Sequence, residues 1–239
     1  MAIRATTTTW PTARPVSRVL WLAILGLIAG APVAAQALAP ARNYAALDQY
    51  VLATPAAETA SIPQLAQYLV KPAKDDFDKV RALFRWITAN IVYDVAAYLE
   101  GDYSHTTAED TLRRRRAICQ GYAALFAALG EQVGLEVVTI SGYGKGAGYV
   151  PGSVFADTNH SWNAVHIGDQ WYLVDCTWGA GHMVGRGKFA RRFEEFYCFT
   201  PPDQFIYNHL PEDPRWQLLP ETVSMEAYTR MVLPRPEFF

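Results

Sequence analysis

The residues of this chain best suited to covalent chemistry are a cysteine, a histidine and an aspartate, in the order Cys119, His160, Asp175. Acyl transfer by sulfur needs a thiolate, a base to make it, and donors for the oxyanion that forms when a carbonyl is attacked. Cys119 follows an arginine run at 113–116 and opens the apolar pattern Tyr122, Phe126, Leu129, Val133. That spacing is one face of a helix, and Gly134 suits its C-terminal cap. A helix N-terminus favours a thiolate over a thiol, and its unpaired first-turn N–H groups point where an oxyanion would sit. The arginine run reads as a solvated helix end, with anion binding or thiolate stabilisation as the functional alternative.

His160 and Asp175 fall on two strand-like runs, 160–167 and 170–177, joined by Gly168-Asp169, a pair that suits a two-residue hairpin turn. Pairing Ile167 with Gln170 sets His160 opposite Thr177 and Trp162 opposite Asp175. His160 and Asp175 are then diagonal neighbours on one face, roughly 7–8 Å apart between backbone positions. A carboxylate there would hold the imidazole in its useful tautomer and stabilise the imidazolium. A bulge or another turn length would undo this arrangement. The competing readings are an inert buried cysteine and an aspartate that merely caps a turn. His166 shares the parity of His160 and is a rival base, but it lies beside the turn, far from Asp175. His105, His182 and His209 fall in loop contexts without a paired acid. A zinc site from Cys119, His160 and Asp175 would lack the usual close-spaced ligand pairs, so neither metal nor cofactor is expected.

The elements that must position these groups are helices first and antiparallel strands afterwards, an α+β pattern. Two short helices, about 43–53 and 62–70, are expected to pack outside the main domain. Phe77, Val80, Phe84, Ile87 and Ile91 mark a longer helix with Asp75, Asp76 and Asp78 in its first turn. Trp86 lies off the centre of that stripe and reads as core. A short helix over 107–114 carries Thr107 and Asp110 at cap positions. Residues 136–140 read as a strand, and the glycine-rich stretch from Gly142 to Tyr149 as a mobile loop beside a cleft. It lacks the Gly-Lys-Ser/Thr of a nucleotide-binding loop. A last short helix is expected near 222–231.

The first 35 residues carry Arg4, Arg14 and Arg18 and no acid, then the apolar run 19–30 and a small-x-small sequence. That is the layout of a cleavable signal peptide, and the apolar run is shorter than the ~20 residues of a spanning helix. A soluble mature protein, secreted or periplasmic, is the expectation. Losing those three arginines takes the net charge from −2 to −5, which does not recommend nucleic acid as a partner. Cys119, Cys176 and Cys198 are too few for a disulfide framework, though a Cys176–Cys198 bridge would be compatible with a free Cys119.

Three stretches around the candidate residues share a resemblance. Cys119-Gln120-Gly121-Tyr122-Ala123, Asn159-His160-Ser161-Trp162-Asn163-Ala164-Val165 and Leu173-Val174-Asp175-Cys176-Thr177-Trp178-Gly179 resemble the transglutaminase-like superfamily. The branch they look most like is that of kyphoscoliosis-peptidase domains. Residues 201–206 and 209–219 look like the same branch. The resemblance covers roughly 75–219, leaving 36–74 as a helical extension and 220–239 as a tail. It implies a papain-like core in which a Cys-bearing helix packs on an antiparallel sheet carrying His and Asp. It also implies Cys119 as nucleophile, His160 as base and Asp175 as the acid that orients it. Some members place an aromatic side chain upstream of the nucleophile as an oxyanion donor, and Tyr93 is the candidate here. The calcium dependence of animal transglutaminases is not carried over, for want of an acidic cluster. The reaction implied is amide acyl transfer through a thioester on a peptide or protein substrate, with hydrolysis expected over cross-linking and the cell envelope suggested by location. The alternative is a catalytically silent binding module.

Overall fold

The computed structural model describes residues 38–146, 149–185 and 187–239. The leader at 1–35, and Ala147 and Gly148 of the glycine-rich stretch, lie outside the described residues. Among the described residues no helix is long and apolar enough to cross a membrane.

The chain opens with α1 (Ala45–Leu52) and α2 (Ile62–Leu69), the latter started by Ser61, whose side chain accepts from the Gln64 N–H. Val51 of α1 faces α3, and Leu65, Ala66 and Leu69 of α2 face the cysteine-bearing helix, so all four are fully buried. Helix α3 (Asp76–Asn90) is capped by the Asp75 carboxylate, which accepts from the Asp78 N–H at 3.1 Å. It buries Val80, Phe84, Ile87 and Trp86.

Strand β1 (Val92–Tyr93), helices α4 (Val95–Glu100) and α5 (Ala108–Arg114), and strand β2 (Arg116–Ala117) then lead into α6 (Cys119–Gln132). Thr107 caps α5 as the spacing predicts, accepting from the Asp110 N–H. Helix α6 ends in a Schellman arrangement: the Leu135 N–H reaches the Gly130 carbonyl, the Gly134 N–H reaches Glu131, and Gly134 takes φ +78°.

A five-stranded antiparallel sheet follows, ordered β8-β5-β4-β3-β9. Its members are β3 (Glu136–Gly144), β4 (His160–Ile167), β5 (Gln170–Val174), β8 (Cys198–Thr200) and β9 (His209–Pro211). Between β5 and β8 come α7 (Cys176–Ala180) and the hairpin of β6 (Gly181–Val184) and β7 (Lys188–Arg191). Helices α8 (Pro202–Phe205) and α9 (Met225–Arg230) complete the chain. Helix α6 packs on β3 and β4, with α2, α3 and α5 around it. This is an α+β, papain-like arrangement of a helix on a curled antiparallel sheet.

Two expectations change here. Gly142 to Gly144 are not loop: β3 continues through them to pair with β9, Gly142 opposite Pro211 and Gly144 opposite His209. A Cβ at Gly142 would collide with the Leu210 carbonyl and the Trp162 ring, so glycine is what admits the last strand. The second change is in the run 170–177, which is a strand only to Val174.

Candidate active site

Cys119 is the first residue of α6, and the chain is steered to it by its neighbours. Arg115 takes a left-handed conformation (φ 55°) that ends α5, and β2 then pairs in parallel with β1, Tyr93 opposite Ala117. This pairing ties Tyr93 to the start of the cysteine helix. No side chain caps α6, so the Cys119 and Gln120 N–H groups remain as first-turn donors. The thiol itself donates to Gln120 Oε1 at 3.1 Å.

The hairpin register is as the turn predicts, from Ile167 opposite Gln170 to Asn163 opposite Val174. It stops there, so Asp175 does not face Trp162 and Thr177 does not face His160. The cause is the aspartate itself. Asp175 Oδ1 accepts from the Thr177 N–H at 2.7 Å and the Trp178 N–H at 3.1 Å, starting α7, while its own N–H donates to the Tyr197 carbonyl. Capping and pairing with His160 are therefore not alternatives here. The second oxygen, Oδ2, lies 2.7 Å from His160 Nε2. Cys119 is a close neighbour of the same imidazole and favours its charged form.

His160 and Asp175 are both buried. Burial disfavours the charged form of His160, but the charge and hydrogen bond of Asp175, followed by the neighbouring Cys119, raise it to about 10. Burial alone would raise Asp175. The charge and hydrogen bond of His160, and the hydrogen bond of His209, hold it well below the usual carboxylate range instead. Each partner thus favours the charged form of the other.

His209 is the residue that sequence reading misplaces. It lies on β9, not in a loop, and it has a paired acid: Nε2 is 3.0 Å from the same Asp175 Oδ2. Asp175 is 34 positions away in sequence, and only the β3–β9 pairing brings the two together. His160, Asp175 and His209 carry metal-type donor atoms, but the carboxylate meets both rings at hydrogen-bond distances that shared protons fill. His166 sits at the far end of β4 with Glu136, 3.2 Å away. His105 lies 3.8 Å from Asp110, and His182 stands on β6.

A cavity of about 600 Å³ opens over the pair, lined by His160, Tyr93, Trp178, Phe155, Phe189 and Leu233 among others. The surviving part of the glycine-rich stretch, Lys145, Gly146 and Tyr149, does border it. Burial, then the neighbouring Cys119, push the Tyr93 phenol well above its ordinary value, so it is a donor at neutral pH. Cys119 keeps 5% of its surface exposed. The arginine run has separate partners. Arg113 pairs with Asp110, Arg114 and Arg116 approach Asp94 at 3.6 and 3.8 Å, and Arg115 lies over the Trp86 ring. Cys119, Cys176 and Cys198 are free thiols, so the Cys176–Cys198 bridge is not formed. Burial pushes the Cys198 thiol up to about 12 and Cys176 well above its usual value.

Residues 63–176 match the family model described as the transglutaminase-like superfamily. The chain is 37% identical over 182 residues to kyphoscoliosis peptidase of Mus musculus, covering 75% of this chain and 28% of that protein. It is 32% identical over 206 residues to Hillarin of Drosophila melanogaster, covering 81% of this chain and 25% of that one. It thus spans about a quarter of the length of these relatives. A solved structure of a TGase aligns with 65% of this chain and 37% of its own, at 17% identity and a TM-score of 0.39.

Proposed function

We propose that this chain, which belongs to the transglutaminase-like superfamily, is a cysteine enzyme that transfers the acyl group of an amide through a thioester on Cys119. The observation that carries this is the buried imidazole of His160, held by Asp175 at 2.7 Å and neighboured by Cys119 at the start of α6. In the first step the sulfur attacks the carbonyl carbon and the C–N bond breaks, His160 passing its proton to the departing amine. Asp175 orients the ring and stabilises its charged form. The Cys119 and Gln120 N–H groups, with the Tyr93 hydroxyl, are the donors we assign to the oxyanion. Water, deprotonated by His160, then cleaves the thioester, or an amine does so and is acylated.

We assign hydrolysis as the usual second step, in line with a relative named as a peptidase. The arginine-bearing, apolar leader supports export and cleavage, which would make envelope peptides the substrates at hand. The test is acid-quenched mass spectrometry of the protein with glutamine-containing peptides, with and without a primary amine. An acyl adduct on Cys119 that yields free acid even in the presence of amine supports the hydrolase. Amine incorporation would make it a cross-linking enzyme. Peptide binding without any adduct would make it a binding module.

A further inference from the structure

We propose that His209 is a positioning residue, a neutral imidazole donating its Nε2–H to Asp175 so that this carboxylate is held ionised and unable to turn, and His160 with it. The inference rests on the enzyme reading above and extends its site by one residue. Asp175 Oδ2 accepts from two rings, His160 at 2.7 Å and His209 at 3.0 Å, while Oδ1 accepts from two backbone N–H groups. Four donors saturate the carboxylate. Take His209 away and Oδ2 keeps only the group it is supposed to position.

The state of His209 follows from its surroundings. The ring is fully buried, stacked on Phe205 at 3.9 Å, 4.3 Å from Trp178 and edge-on to Trp162 at 5.0 Å. The titratable groups facing it are Asp175, His160 and Tyr197, with Cys119 one step beyond His160. Burial outweighs the hydrogen bond and charge of Asp175 and brings His209 down to about 4. A neutral ring that donates from Nε2 must accept at Nδ1. Asn208 lies 2.5 Å from Nδ1 through its side-chain oxygen as placed, while its nitrogen lies 3.4 Å from the Tyr197 hydroxyl. Exchanging the amide oxygen and nitrogen satisfies both contacts: Asn208 donates to His209, and Tyr197 donates to Asn208. Asn208 and Tyr197 both line the cavity, so the chain Tyr197–Asn208–His209–Asp175–His160 leaves the cavity wall and returns to it.

The test needs no substrate. The alkylation rate of Cys119 is followed from pH 5 to 9 in wild type, His209→Phe and His209→Gln, each checked for folding by thermal melting. We expect His209→Phe to slow labelling near pH 6 by about tenfold or more and move the profile to higher pH. His209→Gln, which keeps a donor, should stay within about threefold of wild type. Equal profiles for wild type and His209→Phe, or a glutamine variant no better than phenylalanine, would overturn the assignment. If His209→Phe does not fold, imidazole nitrogen NMR of the wild-type protein decides the matter. A neutral Nε2–H tautomer from pH 5 to 8 is expected, and a ring protonated at Nδ1 would refute it. Wild-type Cys119 labelled no faster than a free thiol would defeat the enzyme reading, whereas fast labelling indifferent to His209 defeats this inference alone.

Discussion

Two buried charge clusters lie in this domain, and they are built from different materials. On one side of α3, Arg81 is 3% exposed, forked onto Asp48 at 2.9 and 2.7 Å and bonded to Glu195 at 2.7 Å, with Tyr44 and Phe193 against its guanidinium. Under the cavity, Asp175 is held by His160 and His209. The first cluster pairs groups whose charges do not change near neutral pH, and it joins α1, α3 and the segment before β8. The second is made of groups that can gain or lose a proton, and one of them meets a sulfur. Burial of charge is common to both. A thiol neighbours each, Cys198 beside Arg81 and Cys119 beside His160, so what separates them is a partner that titrates near neutral pH.

The sharpest way to test that contrast is to damage each cluster in turn. Asp175→Asn keeps a side chain that can cap α7 but cannot hold the imidazolium. It should cut acyl transfer by about 10⁴-fold while the protein still melts cooperatively. Arg81→Ala should do the reverse. It takes the forked partner from the half-buried Asp48, which keeps only Arg85 at 3.5 Å, and should cost about 1–3 kcal/mol in unfolding experiments, with turnover per folded molecule preserved. Similar losses of activity from both variants would erase the distinction.

The pH dependence of stability separates the two histidines around Asp175. An unfolded histidine titrates near ~6.5. His160 is raised to about 10, so its stabilisation is complete below pH 6.5 and is lost as pH rises towards 10. His209 is lowered to about 4, so between pH 6.5 and 4 the unfolded chain takes up a proton that the native ring does not, and stability falls as pH falls. Asp175, held low, adds a further loss below about pH 4. Melting temperature against pH should flatten between pH 6.5 and about 8.5, below the ordinary thiol range, in His160→Gln, and lose its slope from pH 6.5 to 4 in His209→Gln. Arg81 variants should change neither. The smallest effect serves as a control. Gly134→Ala strains a residue at φ +78° far from both clusters and should cost about 1 kcal/mol, with no change in turnover or in either slope.

Much of this was legible in the sequence because it is local. The helix stripes, the Thr107 cap, the acidic first turn of α3 and the two-residue turn after Ile167 depend on residues within a few positions of one another. The turn even set which residues oppose one another, down to Val174. What sequence reading missed depends on partners that come from afar. Asp175 leaves the ladder because its carboxylate serves its own backbone, β3 runs on through three glycine-rich positions because β9 arrives beside it, and His209 acquires an acid only through that strand. The word around His209 was visible, yet nothing near it in sequence named its partner.

The central claim is that Cys119 is a nucleophile activated by His160, and labelling of that cysteine tests it most directly. Wild-type protein and His160→Ala would be alkylated across pH 5 to 9 and mapped by peptide mass spectrometry, which separates Cys119 from the buried Cys176 and the half-buried Cys198. Fast labelling of Cys119 well below pH 8 that disappears in the variant is the result predicted. Equal, slow labelling in both proteins would contradict the account and leave a transglutaminase-like domain without its chemistry.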